Sequence, residues 1–133
     1  MPISPDYDHF AAAYEKGEAQ IVSTRLVADL ETPVSAMLKL TRNVKYSFLL
    51  ESVEGGAVRG RYSIIGMNPD LIWKVERSSA SLNRKALHNP DGPFETLSLA
   101  PLESLRAVLA ESRIALPHDA PPMAAGVFGY IGY

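Results

Sequence analysis

The chain has 133 residues, which is enough for one domain with a buried core. Its net charge of −2 gives no electrostatic basis for binding nucleic acid or an anionic membrane. It contains no cysteine, which excludes disulfides, thiolate metal sites and a cysteine nucleophile. With no signal peptide at its start and no apolar run near the roughly 20 residues that span a bilayer, it is expected to be cytoplasmic.

The first third of the chain predicts two helices separated by a strand. Ser4 or Asp6 is expected to cap a short first helix. The β-branched residues of 20–28 are typical of a strand. Thr32 followed by proline then predicts the capped start of a second helix over residues 33–42.

A run of strand patterns follows. Residues 46–52, 61–67 and 71–76 are short apolar or alternating segments separated by glycine, asparagine and proline. We expect these three strands to share one antiparallel sheet, with residues 81–87 as a hairpin partner of the last.

The final third contains turns, a helix and an apolar end. Residues 88–93 predict a solvated loop, residues 101–112 a helix, and residues 117–122 a proline-rich connector. Residues 123–133 are strand-like with three spaced glycines. Because domains usually end on a polar tail, we expect this chain to continue into a larger protein.

The order of these elements predicts an α+β fold, with a largely antiparallel sheet and flanking helices, rather than a doubly wound parallel sheet.

The residues show no catalytic or metal-binding pattern. The glycine-rich segment 54–61 lacks the Gly-Lys-Ser/Thr and the following helix of a phosphate-binding loop. His9, His88 and His118 are far apart and are expected to be solvated loop residues. Trp73 is expected to be a sheet or core residue.

Four segments follow one another along the chain: DLETPVSA at 29–36, FLLESVE at 48–54, GRYSIIG at 60–66 and GVFGYIGY at 126–133. In this order they resemble the N-terminal domain of anthranilate synthase component I, a chorismate-utilising enzyme. The last is similar to the family's GYxGYD segment without its aspartate. Each segment is weak evidence alone, but the ordered set spans nearly the whole chain.

The resemblance implies that residues 1–133 are the N-terminal regulatory domain of a larger two-layer enzyme. Such enzymes convert chorismate and ammonia to anthranilate and pyruvate, with Mg²⁺ in the active site. A glutamine amidotransferase subunit or domain supplies the ammonia. The catalytic and metal-binding residues belong to the C-terminal region, so none is assigned in this chain, and the isolated fragment is expected to be inactive.

The resemblance also implies a site for the feedback inhibitor L-tryptophan, shared with the C-terminal region. Ser52 matches the serine of the family's LLES element, with Glu51 and Leu50 beside it; Arg61 and Tyr62 on the neighbouring strand are further candidates. A serine hydroxyl and a carboxylate suit a zwitterionic amino acid. On an ideal strand Glu51 faces away from its neighbours, so a bend at the strand end is expected.

Two alternatives remain open. One is aminodeoxychorismate synthase component I of folate biosynthesis, which shares the architecture. The other is a stand-alone small-molecule or protein-binding module with no attached enzyme.

Overall fold

The computed structural model describes residues 2–51, 62–121 and 123–132. In these segments the chain forms three helices and small antiparallel sheets, which confirms the predicted α+β class. The chain divides into two compact units, one made of Met1–Asp29 with Ala107–Tyr133 and the other of Leu30–Arg106.

The first unit contains a short strand pair and a helix. Its elements are β1 (Ile3–Ser4), α1 (Tyr7–Glu15) and β2 (Ser23–Thr24). Asp6 caps α1 by accepting a hydrogen bond from the backbone N–H of His9 at 3.0 Å, as one of the two predicted caps. The strand predicted over 20–28 is limited to β2, because its antiparallel partner β1 has only two residues to pair with.

The apolar segment near the end of the chain was predicted to be a strand, and this prediction is wrong for residues 123–132. No strand occurs there. The segment starts with a turn in which the N–H of Ala124 donates to the carbonyl of Pro121 at 3.0 Å. Apolar residues favour a strand only where another backbone pairs with them, and no described strand does so here.

In its described residues, 30–51 and 62–106, the second unit contains one complete helix and five strands, and the first turns of α3 (Pro101–Glu111) also lie there. The complete elements are α2 (Pro33–Leu40), β3 (Phe48–Glu51), β4 (Ser63–Gly66), β5 (Ile72–Glu76), β6 (Ser79–Asn83) and β7 (Glu95–Thr96). Thr32 caps α2 as predicted, and α2 packs against β3 and β4.

The five strands form two sheets, so the prediction of one sheet containing 46–52, 61–67 and 71–76 is wrong. β3 pairs with β4 in one sheet, whereas β5, β6 and β7 form a second sheet in that order. Only Arg77 and Ser78 connect β5 to β6, so this local pairing forms with little loss of chain entropy. The expected hairpin partner of β5 is therefore present, shifted from 81–87 to β6.

Four of the most buried side chains in the described part of the chain lie on β6 or soon after it. Leu82, Ala80 and Ala86 are each at most 2% exposed, and Asn83 is buried with them. The amide of Asn83 donates to the carbonyl of Asn89 at 2.7 Å and accepts from the N–H of Lys85 at 2.9 Å. The predicted solvated loop at 88–93 is thus attached to the core at its first residues.

Candidate functional site

The β3–β4 hairpin carries the residues predicted to bind an effector. The strands are antiparallel, with Phe48 opposite Gly66, Leu50 opposite Ile64 and Glu51 opposite Ser63. Consecutive apolar residues in both strands, Phe48 to Leu50 and Ile64 with Ile65, favour an extended backbone, and α2 packs against both strands.

Three of the five candidate residues lie in the described part of the chain. Leu50 and Glu51 are the last described residues of β3, and Tyr62 directly precedes β4. Leu50 is 46% and Tyr62 48% exposed, and Glu51 is also exposed. Ser52 and Arg61 lie outside the described residues. The structure therefore brings Leu50, Glu51 and Tyr62 to the same end of one hairpin.

The pairing of the two strands is regular as far as Glu51. Successive side chains of a strand point to opposite faces, so Leu50 and Glu51 do not face the same way. The bend that a shared pocket would need is not present up to Glu51. Of the two, Glu51 offers the group suited to an ammonium ion, and Leu50 offers apolar surface to the other face.

The strand register adds Ser63 to the candidate residues at this end of the hairpin, although the sequence alone did not indicate it. Ser63 is exposed and lies directly opposite Glu51. Side chains directly opposite each other on antiparallel strands are about 4.5–5.5 Å apart at Cβ, so one ligand can reach both. The sequence places Ser63 in the GRYSIIG segment, but it does not show which residue of β3 lies opposite. The long connection between β3 and β4 does not fix the register of the two strands.

The Glu51 end of the hairpin combines a carboxylate, a hydroxyl and a phenol. Glu51 can accept hydrogen bonds from an ammonium group, and the hydroxyl groups of Ser63 and Tyr62 can donate or accept a hydrogen bond. All three side chains are exposed. Because Glu51 and Ser63 lie directly opposite each other, they share one face of the hairpin and can form part of a polar binding surface there.

The second unit also contains a cavity of about 300 Å³, lined in part by residues that precede β3 and follow β4 in the chain. Its described lining consists of Asn43, Val44, Lys45, Asn68, Pro69, Ala86, Leu87 and Pro90. Lys45 is the charged residue of this lining, and its ammonium donates to Asp91 at 2.7 Å, which raises the pKa of Lys45. Because Asp91 already pairs with that charge, we assign no ligand to the cavity.

Across residues 2–51, 62–121 and 123–132, no three His, Cys, Asp or Glu side chains are grouped so as to hold a metal ion. Over the same residues, no helix combines the length and apolarity needed to cross a bilayer. His9 is exposed as expected, although it lies in α1 and hydrogen-bonds to Asp6 rather than lying in a loop.

Similar proteins are curated enzyme components much longer than this chain. A protein of Cereibacter sphaeroides is 51% identical over 127 residues, covering 96% of this chain and 25% of its own length. A protein of Synechocystis sp. is 40% identical over 131 residues, covering 98% of this chain and 25% of its own length. A protein of Acetivibrio thermocellus is 33% identical over 112 residues, covering 84% of this chain and 22% of its own length. No family model and no solved structure matches the chain.

These relatives are components of biosynthetic synthases. This chain spans about a quarter of their length. Each of the three is an anthranilate synthase component 1. The chain is similar to the N-terminal region of that protein over nearly its whole length, which confirms the resemblance found in its motifs.

Proposed function

We propose that this chain is the N-terminal regulatory part of an anthranilate synthase component 1. The observation that carries the proposal is the 51% identity over 96% of the chain. The complete enzyme converts chorismate and ammonia to anthranilate and pyruvate in the cytoplasm. A glutamine amidotransferase subunit or domain supplies the ammonia, and Mg²⁺ is held by residues beyond this chain.

The Glu51 end of the β3–β4 hairpin contributes to the site at which L-tryptophan inhibits this enzyme. Glu51 receives the ammonium group of the inhibitor, and Ser52 contributes a hydroxyl that donates or accepts a hydrogen bond. Tyr62, with Arg61 before it in the sequence, is a further candidate, and Leu50 supplies apolar surface on the face of β3 opposite to Glu51. The exposure of Leu50, Glu51 and Tyr62 supports this role, because a ligand site must be open before the ligand binds.

The test is inhibition of the full-length enzyme by L-tryptophan after Ser52→Ala or Glu51→Gln. Losing one hydrogen bond to a charged group costs about 1.5–3 kcal/mol, so the inhibition constant should rise roughly ten- to a hundredfold. The kcat and the KM for chorismate in the absence of tryptophan should stay as in the parent enzyme.

Matched controls are Ser98→Ala and Glu95→Gln, which change exposed residues outside the hairpin. Both should leave the inhibition constant unchanged. If tryptophan inhibits the Ser52 and Glu51 variants as tightly as the parent, this site is elsewhere.

Aminodeoxychorismate synthase component I and a stand-alone binding module were the alternatives. The relatives from Cereibacter sphaeroides, Synechocystis sp. and Acetivibrio thermocellus are all anthranilate synthase components, which supports anthranilate synthase over these two alternatives. The product made from chorismate by the full-length protein distinguishes the two enzymes. A stand-alone module would require a natural protein that ends near residue 133.

A further inference from the structure

Phe48 and Gly66 form a close cross-strand contact in the β3–β4 hairpin. These residues lie directly opposite each other. A Cβ atom on Gly66 would overlap Cε1 and Cζ of the Phe48 ring and would lie 3.0 Å from its Cδ1. The ring therefore covers the Gly66 backbone, in a space that a larger residue would fill.

Other features of the hairpin leave its register weakly defined. Residues 52–62 join the strands, and this connection is far longer than the two-residue turns that fix a register. Leu49 and Leu50 face Ile65 and Ile64, so the centre of the hairpin is apolar on both faces. A slip by one residue would still place a leucine opposite an isoleucine, and the apolar pattern alone does not oppose it.

Gly66 is the residue of β4 that leaves room for an aromatic ring over the backbone, since the others are Ser63, Ile64 and Ile65. An aromatic side chain that covers a cross-strand glycine is a known device for pinning register in sheets. A slip of one residue would move Phe48 from Gly66 and exchange the faces of Leu50 and Glu51.

We propose that Gly66, acting through the Phe48 ring, is a positioning residue for the tryptophan site, because it fixes the register that presents Glu51 opposite Ser63. This inference rests on the proposed function. Gly66 itself contacts no effector, and its influence reaches the far end of the hairpin through the strand pairing.

The experiment measures tryptophan inhibition of the full-length enzyme carrying Gly66→Ala. The added methyl group displaces the ring, and the inhibition constant should rise roughly fivefold or more, with kcat and the KM for chorismate unchanged. Phe48→Ala removes the ring without adding bulk, so it should act in the same direction even if Gly66→Ala does not fold. Thr96→Ala, on the edge strand β7, should have no effect.

A disulfide that restores the strand register distinguishes a positioning role of Gly66 from a general loss of stability in the Gly66→Ala variant. Leu49→Cys with Ile65→Cys places two thiols opposite each other, on the face away from Phe48. In the Gly66→Ala background, the oxidised pair should restore parental inhibition and its reduction should abolish the rescue. With Gly66 intact, the cysteine pair should be inhibited normally in both states.

The outcomes distinguish this inference from the proposed function. If Glu51→Gln and Ser52→Ala weaken inhibition while Gly66→Ala and Phe48→Ala do not, only the positioning role is wrong. It is also wrong if oxidation fails to restore inhibition in the Gly66→Ala background. If Glu51→Gln and Ser52→Ala leave inhibition unchanged, the proposed site itself is wrong.

Discussion

Thr32 stabilises the start of α2 through a reciprocal pair of hydrogen bonds. Its hydroxyl accepts from the N–H of Ser35 at 3.1 Å, and its own N–H donates to the Ser35 hydroxyl at 2.9 Å. Thr32→Ala removes the first of these and should lower the free energy of unfolding by about 1 kcal/mol, measured by urea denaturation.

The matched control is Thr96→Ala, which removes an exposed threonine hydroxyl from the edge strand β7. It should cost clearly less than Thr32→Ala. Equal losses in the two variants would show that the cap contributes nothing beyond the general effect of removing a threonine.

The start of α1 predicts a pH dependence. The hydrogen bond from the His9 N–H lowers the pKa of Asp6 below its ordinary 3.8, and the His9 ring bonded to Asp6 at 2.7 Å adds to this. The same side-chain bond raises the pKa of His9 above 6.5. The Asp6 contribution is present above pH 3.8 and is lost as pH falls through its lowered pKa. The His9 contribution is present below pH 6.5 and is lost as pH rises through its raised pKa.

Helix α1 should therefore be most stable between about pH 3.8 and 6.5. An NMR titration of the His9 ring should give a pKa above 6.5, and Asp6→Asn should lower it. Asp8→Asn is the control, because Asp8 contributes least to the raised pKa of His9 and should move it less. A His9 pKa that Asp6→Asn leaves unchanged would contradict the pairing.

At the scale of elements, one hydrogen bond links β5 to α3 inside the second unit. The indole N–H of Trp73 donates to the hydroxyl of Ser104 at 2.9 Å, and that hydroxyl donates to the carbonyl of Pro101 at 2.7 Å. Ser104 is 1% exposed, so no water can replace it without rearrangement.

Ser104→Ala leaves the indole N–H without its acceptor, and we expect a loss of about 1–3 kcal/mol in unfolding free energy. Trp73 is the chain's one tryptophan, so its fluorescence reports directly on this contact. Ser98→Ala, at an exposed bend, should leave both the stability and the emission unchanged. A stable Ser104→Ala protein with unaltered emission would show that the bond is not maintained in solution.

At the scale of the whole molecule, several large apolar side chains are exposed. Leu30 is 97%, Tyr130 95% and Ile131 77% exposed. Exposed apolar side chains of this size favour association with another copy, so we expect the isolated chain to self-associate. Sedimentation of the isolated chain should show mass increasing with concentration, and Tyr130→Ser with Ile131→Ser should reduce it. A chain that remains monomeric at high concentration would contradict this.

The isolated chain is also expected to be inactive. It spans about a quarter of the length of its relatives, and we propose that the catalytic residues lie in the remainder. A purified sample supplied with chorismate, ammonia and Mg²⁺ should form no anthranilate, whereas the full-length enzyme should. Turnover by the pure chain would place catalytic groups within these residues.

Local signals in the sequence determined the helices and the positions of most strands. Thr32-Pro33 and Asp6 give caps whose hydrogen bonds span only three residues, so they form wherever the local chain is helical. The apolar segment FLLE predicts β3 in the same way. The motifs also determined the resemblance to anthranilate synthase component 1, because a resemblance depends on residue order alone.

The tertiary structure decided which strands pair and which residues face each other. β4 pairs with β3, while β5 pairs with β6. The placement of Ser63 opposite Glu51, and of the Phe48 ring over Gly66, depends on register. A strand pattern specifies that the backbone is extended and which side chains alternate, but the partner and its register depend on contacts between residues distant in sequence.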